Sequence, residues 1–345
     1  MADEGQVVSV GSPAAAAESL VSVIVPVRND PEGVSALLSC LEAQTLGRER
    51  FEVVIGDDGS RPDRVPRIPG TDGWVRIEPG PPRTSYAARN RAARAARGSI
   101  LAFCDSDCLP QPNWLEEALA AIAEADVVAG EVTFVAPARP TVWGLLTIDM
   151  FLDQERNVRL ARGVTANLVV RRQLFGELRG FDESLPSGGD YDFVQRAIER
   201  GARLRYAASA VVRHPTIEDG RRFLRKVWMT NRWSGVRHAR ARMPAEILGV
   251  LALVPIFGVM IARRQALRPI TRLYRPRLQA CGLRPRWRDH LCALTLLYFV
   301  VSYVAGLARI LGRIEGSRLA RAGATPTYGW QSAEADSAAS GGSVI

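Results

Sequence analysis

Apolar residues in this chain come in unbroken blocks more often than in alternation. Residues 21–27 read VSVIVPV and residues 51–55 read FEVVI. A continuous, β-branched run of this kind belongs to a strand covered on both faces, as in a parallel sheet. Residues 74–77 supply a third strand and 99–103 a fourth. Between them, 32–44 and 86–97 are helical; the second, YAARNRAARAAR, is built from strong helix formers. Residues 114–123 form a further helix. Strand alternating with helix predicts βαβ units and a mostly parallel sheet flanked by helices. Farther on, 127–135 and 164–170 are strand candidates, 183–200 is a glycine-rich turn running into a helix, and LRYAASAVVRH makes a last strand ending at residue 214.

Two of these strands stop at carboxylates. GDDGS follows the second and brings Asp57 and Asp58; CDSDC follows the fourth and brings Asp105 and Asp107. In open α/β sheets ligands bind beyond the carboxyl ends of the strands, so two acidic turns there can converge on one ligand. Carboxylates one residue apart can divide labour. One takes a ribose hydroxyl while the other holds a hard divalent cation, which prefers oxygen ligands and shares them with substrate phosphates. For Asp57–Asp58 the competing reading is plain turn chemistry, because Asp-Gly favours a tight turn.

The ordered blocks VSVIVPVRN, VVIGDDGS, ARNRAARAARGSILAFCDSD, LRGFDESLPSGGDYDF, RAIERGARLRY and VVRHP resemble the family 2 glycosyltransferases, with the GT-A type of Rossmann-like nucleotide-binding fold, over roughly 21–215. The resemblance implies a nucleoside diphosphate sugar donor, a divalent cation (Mn²⁺ or Mg²⁺) and transfer to a hydroxyl acceptor with inversion. By resemblance Pro26 lines the nucleotide pocket, and Asp57 and Asp58 bind the base. Arg89 lies near the nucleotide, Asp105 approaches the ribose and Asp107 holds the metal. His214 matches a position that adds a metal contact in some members; a satisfied structural histidine is the alternative. Asp190 matches the general base, with Asp192 the competing candidate. The family pattern G-E-D-x-D reads Gly188, Gly189, Asp190, Tyr191, Asp192 in this chain, so glycine stands where glutamate is usual. Asn167, Gly189, Tyr191 and Asp192 are candidate donor or acceptor contacts; for Tyr191 the choice is between stacking on a sugar and packing.

Charge changes the picture of the second half. Between residues 221 and 321, 21 Lys and Arg face 3 acids, a net of +18, which leaves −9 for the rest of a chain whose total is +9. Lys226 is the only lysine. Residues 247–262 and 291–308 are apolar and bracketed by arginine clusters, with lengths of about 24 and 27 Å as helices, slightly short of a hydrocarbon core of about 30 Å. The domain plan is therefore a tail (1–19), a catalytic domain (20–220), a basic helical membrane-associated region (221–322) and a second tail (323–345). Nine arginines between the two apolar stretches disfavour an ordinary hairpin across the membrane under the positive-inside rule; segments lying along an anionic cytoplasmic surface let every arginine meet headgroups. That reading gives a cell-membrane location with the catalytic domain cytoplasmic, and a lipid-linked or cell-envelope glycan as acceptor. Nucleic acid is excluded as a partner, since it would not cover the long apolar runs. The five cysteines make no paired framework, and Cys104 and Cys108 read as small buried residues. A non-catalytic sugar-nucleotide-binding scaffold and a nucleotidyltransferase are the remaining alternatives.

Overall fold

The computed structural model describes residues 21–66, 73–137, 139–240, 274–283 and 287–322. Eight strands form one sheet: β1 (Val21–Val27), β2 (Phe51–Asp57), β3 (Val75–Pro79), β4 (Ile100–Cys104), β5 (Leu109–Pro110), β6 (Val127–Val135), β7 (Asn167–Arg171) and β8 (Leu204–Pro215), in the order β3-β2-β1-β4-β7-β6-β8-β5. The domain helices are α1 (Pro31–Glu42), α2 (Ser85–Ala95), α3 (Trp114–Ala123), α4 (Val142–Met150), α5 (Gln154–Arg159), α6 (Arg172–Glu177) and α7 (Gly189–Glu199). Then come α8 (Gly220–Arg240), α9 (Tyr274–Ala280) and α10 (Trp287–Ala322).

The unbroken apolar runs do what their patterning requires. Every residue of β1, β2 and β4 is buried, and successive side chains enter opposite cores. Val21, Val23 and Val25 pack with Leu37 and Leu41 of α1 and Trp114 and Leu115 of α3. Ile24, Leu101 and Phe103 pack on the other face with Ala92 of α2, Phe175 of α6 and Phe193 of α7. Strands β3, β2, β1 and β4 are parallel, as expected. The rest is mixed: β7 runs antiparallel to both β4 and β6, β5 is antiparallel to β8, and β6 is parallel to β8. A buried apolar run has no direction written in it, so the patterning located β7 without orienting it.

The β6–β8 register shifts between Gly130 and Glu131, and Asn167 holds that irregularity together. Its Oδ1 accepts from Trp114 Nε1 at 2.9 Å; its Nδ2 donates to Glu131 O at 2.9 Å and Ala210 O at 2.8 Å. Asn167 is fully buried, and a Cβ on Gly130 would lie 2.3 Å from its Nδ2. With its amide occupied by these protein partners, Asn167 clamps the strands together.

Beyond the sheet, α8 and the second half of α10 lie side by side. Phe223 and Val227 share a small core with Val301 and with Leu146 of α4, and Arg232 is paired with Glu315 at 2.8 Å. Glycines let the backbones touch: a Cβ on Gly312 would lie 1.9 Å from Arg232 O, and one on Gly235 2.2 Å from Arg309 O. The apolar stretch 291–308 falls within α10, where side chains are described from Val300 onward. Val301 and Ala308 are buried, while Val300, Tyr303, Leu307, Leu311 and Ile314 form an exposed stripe at helical spacing. Among the described residues no helix is long and apolar enough to cross a membrane. The stretch 247–262 and the tails 1–19 and 323–345 lie outside the described residues.

Asn167→Ala strands the buried indole N–H of Trp114 and two carbonyls, so it should cost about 2–4 kcal/mol of stability. Urea unfolding checks this; a loss below about 1 kcal/mol would contradict the clamp.

Candidate functional site

The site lies along the carboxyl ends of β1, β2, β4 and the strands beyond. Pro26 sits in β1 opposite Gly56 of β2, one step before the acidic turn. Asp57 closes β2 and turns inward: its Oδ1 accepts from Ser60 N at 3.0 Å and Ser60 Oγ at 2.6 Å. Gly59, at φ +77°, completes that turn, and a Cβ there would lie 2.6 Å from Pro82. Asp58 continues the strand by donating its N–H to Val27 O at 2.8 Å, and its Oδ1 accepts from Arg83 N at 2.9 Å. Burial raises the Asp58 carboxyl above its ordinary range. The two neighbours therefore differ: Asp57 holds the turn through Ser60, and Asp58 is tied to the segment at Arg83.

The second acidic turn is fixed from three sides. Cys108 N donates to Asp105 O at 3.2 Å, and Ser106 Oγ donates to Asp30 Oδ2 at 2.8 Å. Asp30 also caps α1 through Gly33 N at 3.1 Å, so one carboxylate ties helix α1 to the turn. Then β5 pairs with β8 so that Leu109 faces Arg213, which carries Asp107 to His214. His214 Nε2 lies 3.7 Å from Asp107 Oδ1. The other ring nitrogen, Nδ1, is 2.8 Å from Pro215 O, which can only accept, so Nδ1 holds the proton and Nε2 presents a lone pair in the neutral ring.

Asp105, Asp107, Cys108 and His214 offer ligand atoms that all lie within 4.8 Å of one another. Burial and the neighbouring Cys104 hold the Cys108 thiol well above its usual range, and sulfur is a soft ligand that a hard divalent cation does not favour. Two carboxylates and one bare imidazole nitrogen remain. That donor set fits Mn²⁺, which accepts oxygen and imidazole together, and fits Mg²⁺ through the carboxylates.

Arg89 of α2 is nearly buried and pairs with Asp105. Lys226 of α8, half-buried and 5.1 Å from the centre of the Phe151 ring, lies within electrostatic reach of Asp105, Asp107 and Cys108. Burial lowers its pKa and the two carboxylates oppose that shift. The sequence expectations placed the basic region against lipid headgroups and did not set this residue beside the acidic turn. Its signal was available: it is the single lysine in an arginine-rich chain.

Asp190 lies in the first turn of α7, where the helix N-terminus favours a carboxylate. Tyr191 N donates to its Oδ1 at 2.9 Å, Tyr86 Oη donates to the same oxygen at 3.1 Å, and Thr165 N donates to Oδ2 at 3.3 Å. Burial outweighs these donors and raises its pKa. Asp192 is engaged differently, accepting from Arg196 Nε at 2.8 Å on the helix side. Gly189 owes its identity to Tyr86: a Cβ would lie 2.9 Å from two carbons of that ring. The space of the usual glutamate is filled by a tyrosine that hydrogen-bonds Asp190. Tyr191 stands half-buried between Arg162 and Arg237, and Gly188 O accepts from Arg237 Nη1 at 2.9 Å.

The family described as Glycosyl transferase family 2 matches residues 22–178. The glycosyltransferase AglE of Haloferax volcanii is 31% identical over 232 residues, which is 62% of this chain and 76% of that protein. The pre-mycofactocin glycosyltransferase of Mycobacterium tuberculosis is 31% identical over 205 residues, 56% of this chain and 42% of that protein. The succinoglycan biosynthesis protein ExoU of Rhizobium meliloti is 28% identical over 60% of this chain and 66% of its own length. Among solved structures, S. aureus TarS 1-349 in complex with UDP aligns at a TM-score of 0.45 and 17% identity, over 88% of this chain and 91% of that one.

Tyr86→Phe removes a donor that lowers the Asp190 pKa, so that pKa should rise further. Gly189→Ala, by displacing the ring, should raise it in the same direction, and the double variant should go no higher than Tyr86→Phe alone. A carboxyl-resolved NMR titration reads all three; an unmoved Asp190 in Tyr86→Phe would contradict the pairing.

Proposed function

The chain belongs to the family 2 glycosyltransferases, and from that premise we propose that it transfers a sugar from a nucleoside diphosphate sugar to an acceptor hydroxyl with inversion at the anomeric carbon. One observation carries the reading: a three-ligand group (Asp105, Asp107, His214) and a buried carboxylate (Asp190) open onto the same sheet edge, with Arg89 charged toward both. Asp58, with Pro26 beside it, takes the base, and Asp105 takes the ribose. Asp107 and His214, with Asp105 close by, hold Mn²⁺ or Mg²⁺, which when bound neutralises the charge of the departing diphosphate. Lys226 lies within electrostatic reach of the same carboxylates and adds a fixed positive charge on the diphosphate side.

Asp190 is the base. It accepts the acceptor's hydroxyl proton while that oxygen attacks the anomeric carbon, and the bond from that carbon to the diphosphate oxygen breaks. Asp190 is preferred to Asp192 because Asp192 is held by Arg196. A base must be ionised, and burial raises the Asp190 pKa, so the acid limb of kcat/KM should lie above the ordinary carboxylate range and activity should fall as pH drops through it.

The experiment is donor calorimetry with UDP-, GDP- and dTDP-sugars, with and without Mn²⁺, followed by turnover. Wild-type protein should bind one donor in a metal-dependent way. Asp107→Ala should lose the metal dependence, and Asp190→Asn should keep donor binding while turnover falls by about 10²–10⁴-fold. Binding without any turnover would favour the scaffold alternative; release of pyrophosphate from a nucleoside triphosphate would favour a nucleotidyltransferase.

The protein acts at the cytoplasmic face of a membrane, on a lipid-linked or cell-envelope glycan. The support is the exposed stripe from Val300 to Ile314, which runs on into exposed Arg318 and Arg321. An apolar face ending in arginine suits an in-plane contact with anionic lipid. Flotation should recover the protein with phosphatidylglycerol vesicles and lose it from them after Leu307→Asp with Leu311→Asp; equal recovery on phosphatidylcholine vesicles would count against the anionic surface.

A further inference from the structure

The surroundings of Tyr191 hold more positive charge than the transfer reaction accounts for. Its ring lies 5.4 Å from the Arg162 guanidinium and 5.5 Å from that of Arg237. The two arginines arrive from different places, Arg162 from the segment after α5 and Arg237 from α8. All three side chains are half-buried, so they are partly dry yet open to a ligand. Among the described residues neither arginine is ion-paired with a carboxylate, and the neighbouring Asp192 is taken by Arg196. The one strong bond of Arg237, to Gly188 O at 2.9 Å, fixes it at the start of the helix that carries Asp190.

The charges here do not balance. Arg237 senses Asp190 and Asp192 in its favour and Arg162 against it. Arg89 is paired with Asp105, and Lys226 lies within electrostatic reach of the carboxylates on the metal side. Two half-buried cations beside one buried carboxylate leave a positive excess, which is costly unless an anion joins them. The excess sits at the start of the helix that carries the proposed base. Guanidinium forks suit phosphate or carboxylate oxygens, and Tyr191 offers an aromatic face between them.

We propose that Arg162 and Arg237, with Tyr191 between them, form an anion-binding acceptor subsite, so that the acceptor carries a phosphate or carboxylate close to the hydroxyl that is glycosylated. The proposal rests on the transferase reading with Asp190 as base. It makes α8 part of the acceptor site.

The test uses the full-length, detergent-solubilised protein in two titrations. The first loads it with Mn²⁺ and the nucleoside diphosphate that binds, which fills the donor side. The second adds geranyl phosphate, methyl glucuronide or neutral methyl glucoside. At least one anionic probe should bind tenfold or more tighter than the neutral one. Arg162→Gln or Arg237→Gln should weaken that binding about tenfold, whereas Arg237→Lys should retain part of it. Preference for geranyl phosphate identifies a phosphate-bearing acceptor, and preference for the glucuronide an acidic sugar; either supports the subsite. Equal affinity for all three probes, or anion binding unchanged in both glutamine variants, would overturn it and leave the arginines as packing partners of Tyr191. If the wild-type protein takes up no nucleoside diphosphate in the first titration, the transferase reading falls and the subsite with it; uptake followed by indifference to charge overturns the subsite alone.

Discussion

Carboxylates set at the ends of buried strands must be matched by cations, and much of the second half of this chain answers to that requirement. Leaving a buried charge unmatched costs several kcal/mol, comparable with the whole stability margin of a domain. Asp105 is matched by Arg89, while Asp107 has the His214 ring on one side and Lys226 of α8 within electrostatic reach. The two-residue strand β5 exists in the same service, since its pairing with β8 is what brings His214 across. Glu52, at the opposite end of the sheet, makes the contrast. It is more deeply buried, and Ser22 Oγ at 2.7 Å, Arg76 at 3.1 Å and Arg97 N at 2.5 Å occupy its oxygens. Glu52 is a closed network and Asp107 an open one, and openness separates a site from a structural ion pair.

The parts of the fold legible in the sequence were those written in continuous burial. The runs 21–27, 114–123 and 127–135 coincide with β1, α3 and β6 because each is long and bounded by turn residues. Strand direction was not legible, as β7 demonstrates. Nor were short elements whose reason is tertiary: β5 has two residues, and α4 is apolar on all sides and so shows no helical period. The site divides in the same way. Carboxylates that end strands announce themselves, whereas the clamp made by Asn167 depends on three partners 36, 43 and 53 residues away in sequence. Tyr86, the reason for Gly189, lies about a hundred residues from it, beyond the reach of any local pattern.

Positive charge was the least specific signal, because composition cannot say where a side chain points. The basic region divides into two populations. Arg318 and Arg321 are exposed at the end of α10, while Lys226 and Arg237 turn back toward the sheet edge. One helix thus turns cations inward and its neighbour presents them outward, although both are basic.

That helix pair is joined with nothing between its backbones. Gly235, Gly312 and Gly316 each face a carbonyl of the partner helix at a distance no side chain could occupy. Sliding either helix by a turn would drive a larger residue into that contact, so the two behave as one rigid piece lying beyond the family-matched residues 22–178. The catalytic sheet could be exchanged between relatives by recombination at the boundary before α8. Arg237 of α8 and the exposed stripe of α10 could not be exchanged separately, whereas Arg162 would travel with the sheet. A change on the inner face of α8 is therefore inherited together with the outer face of α10.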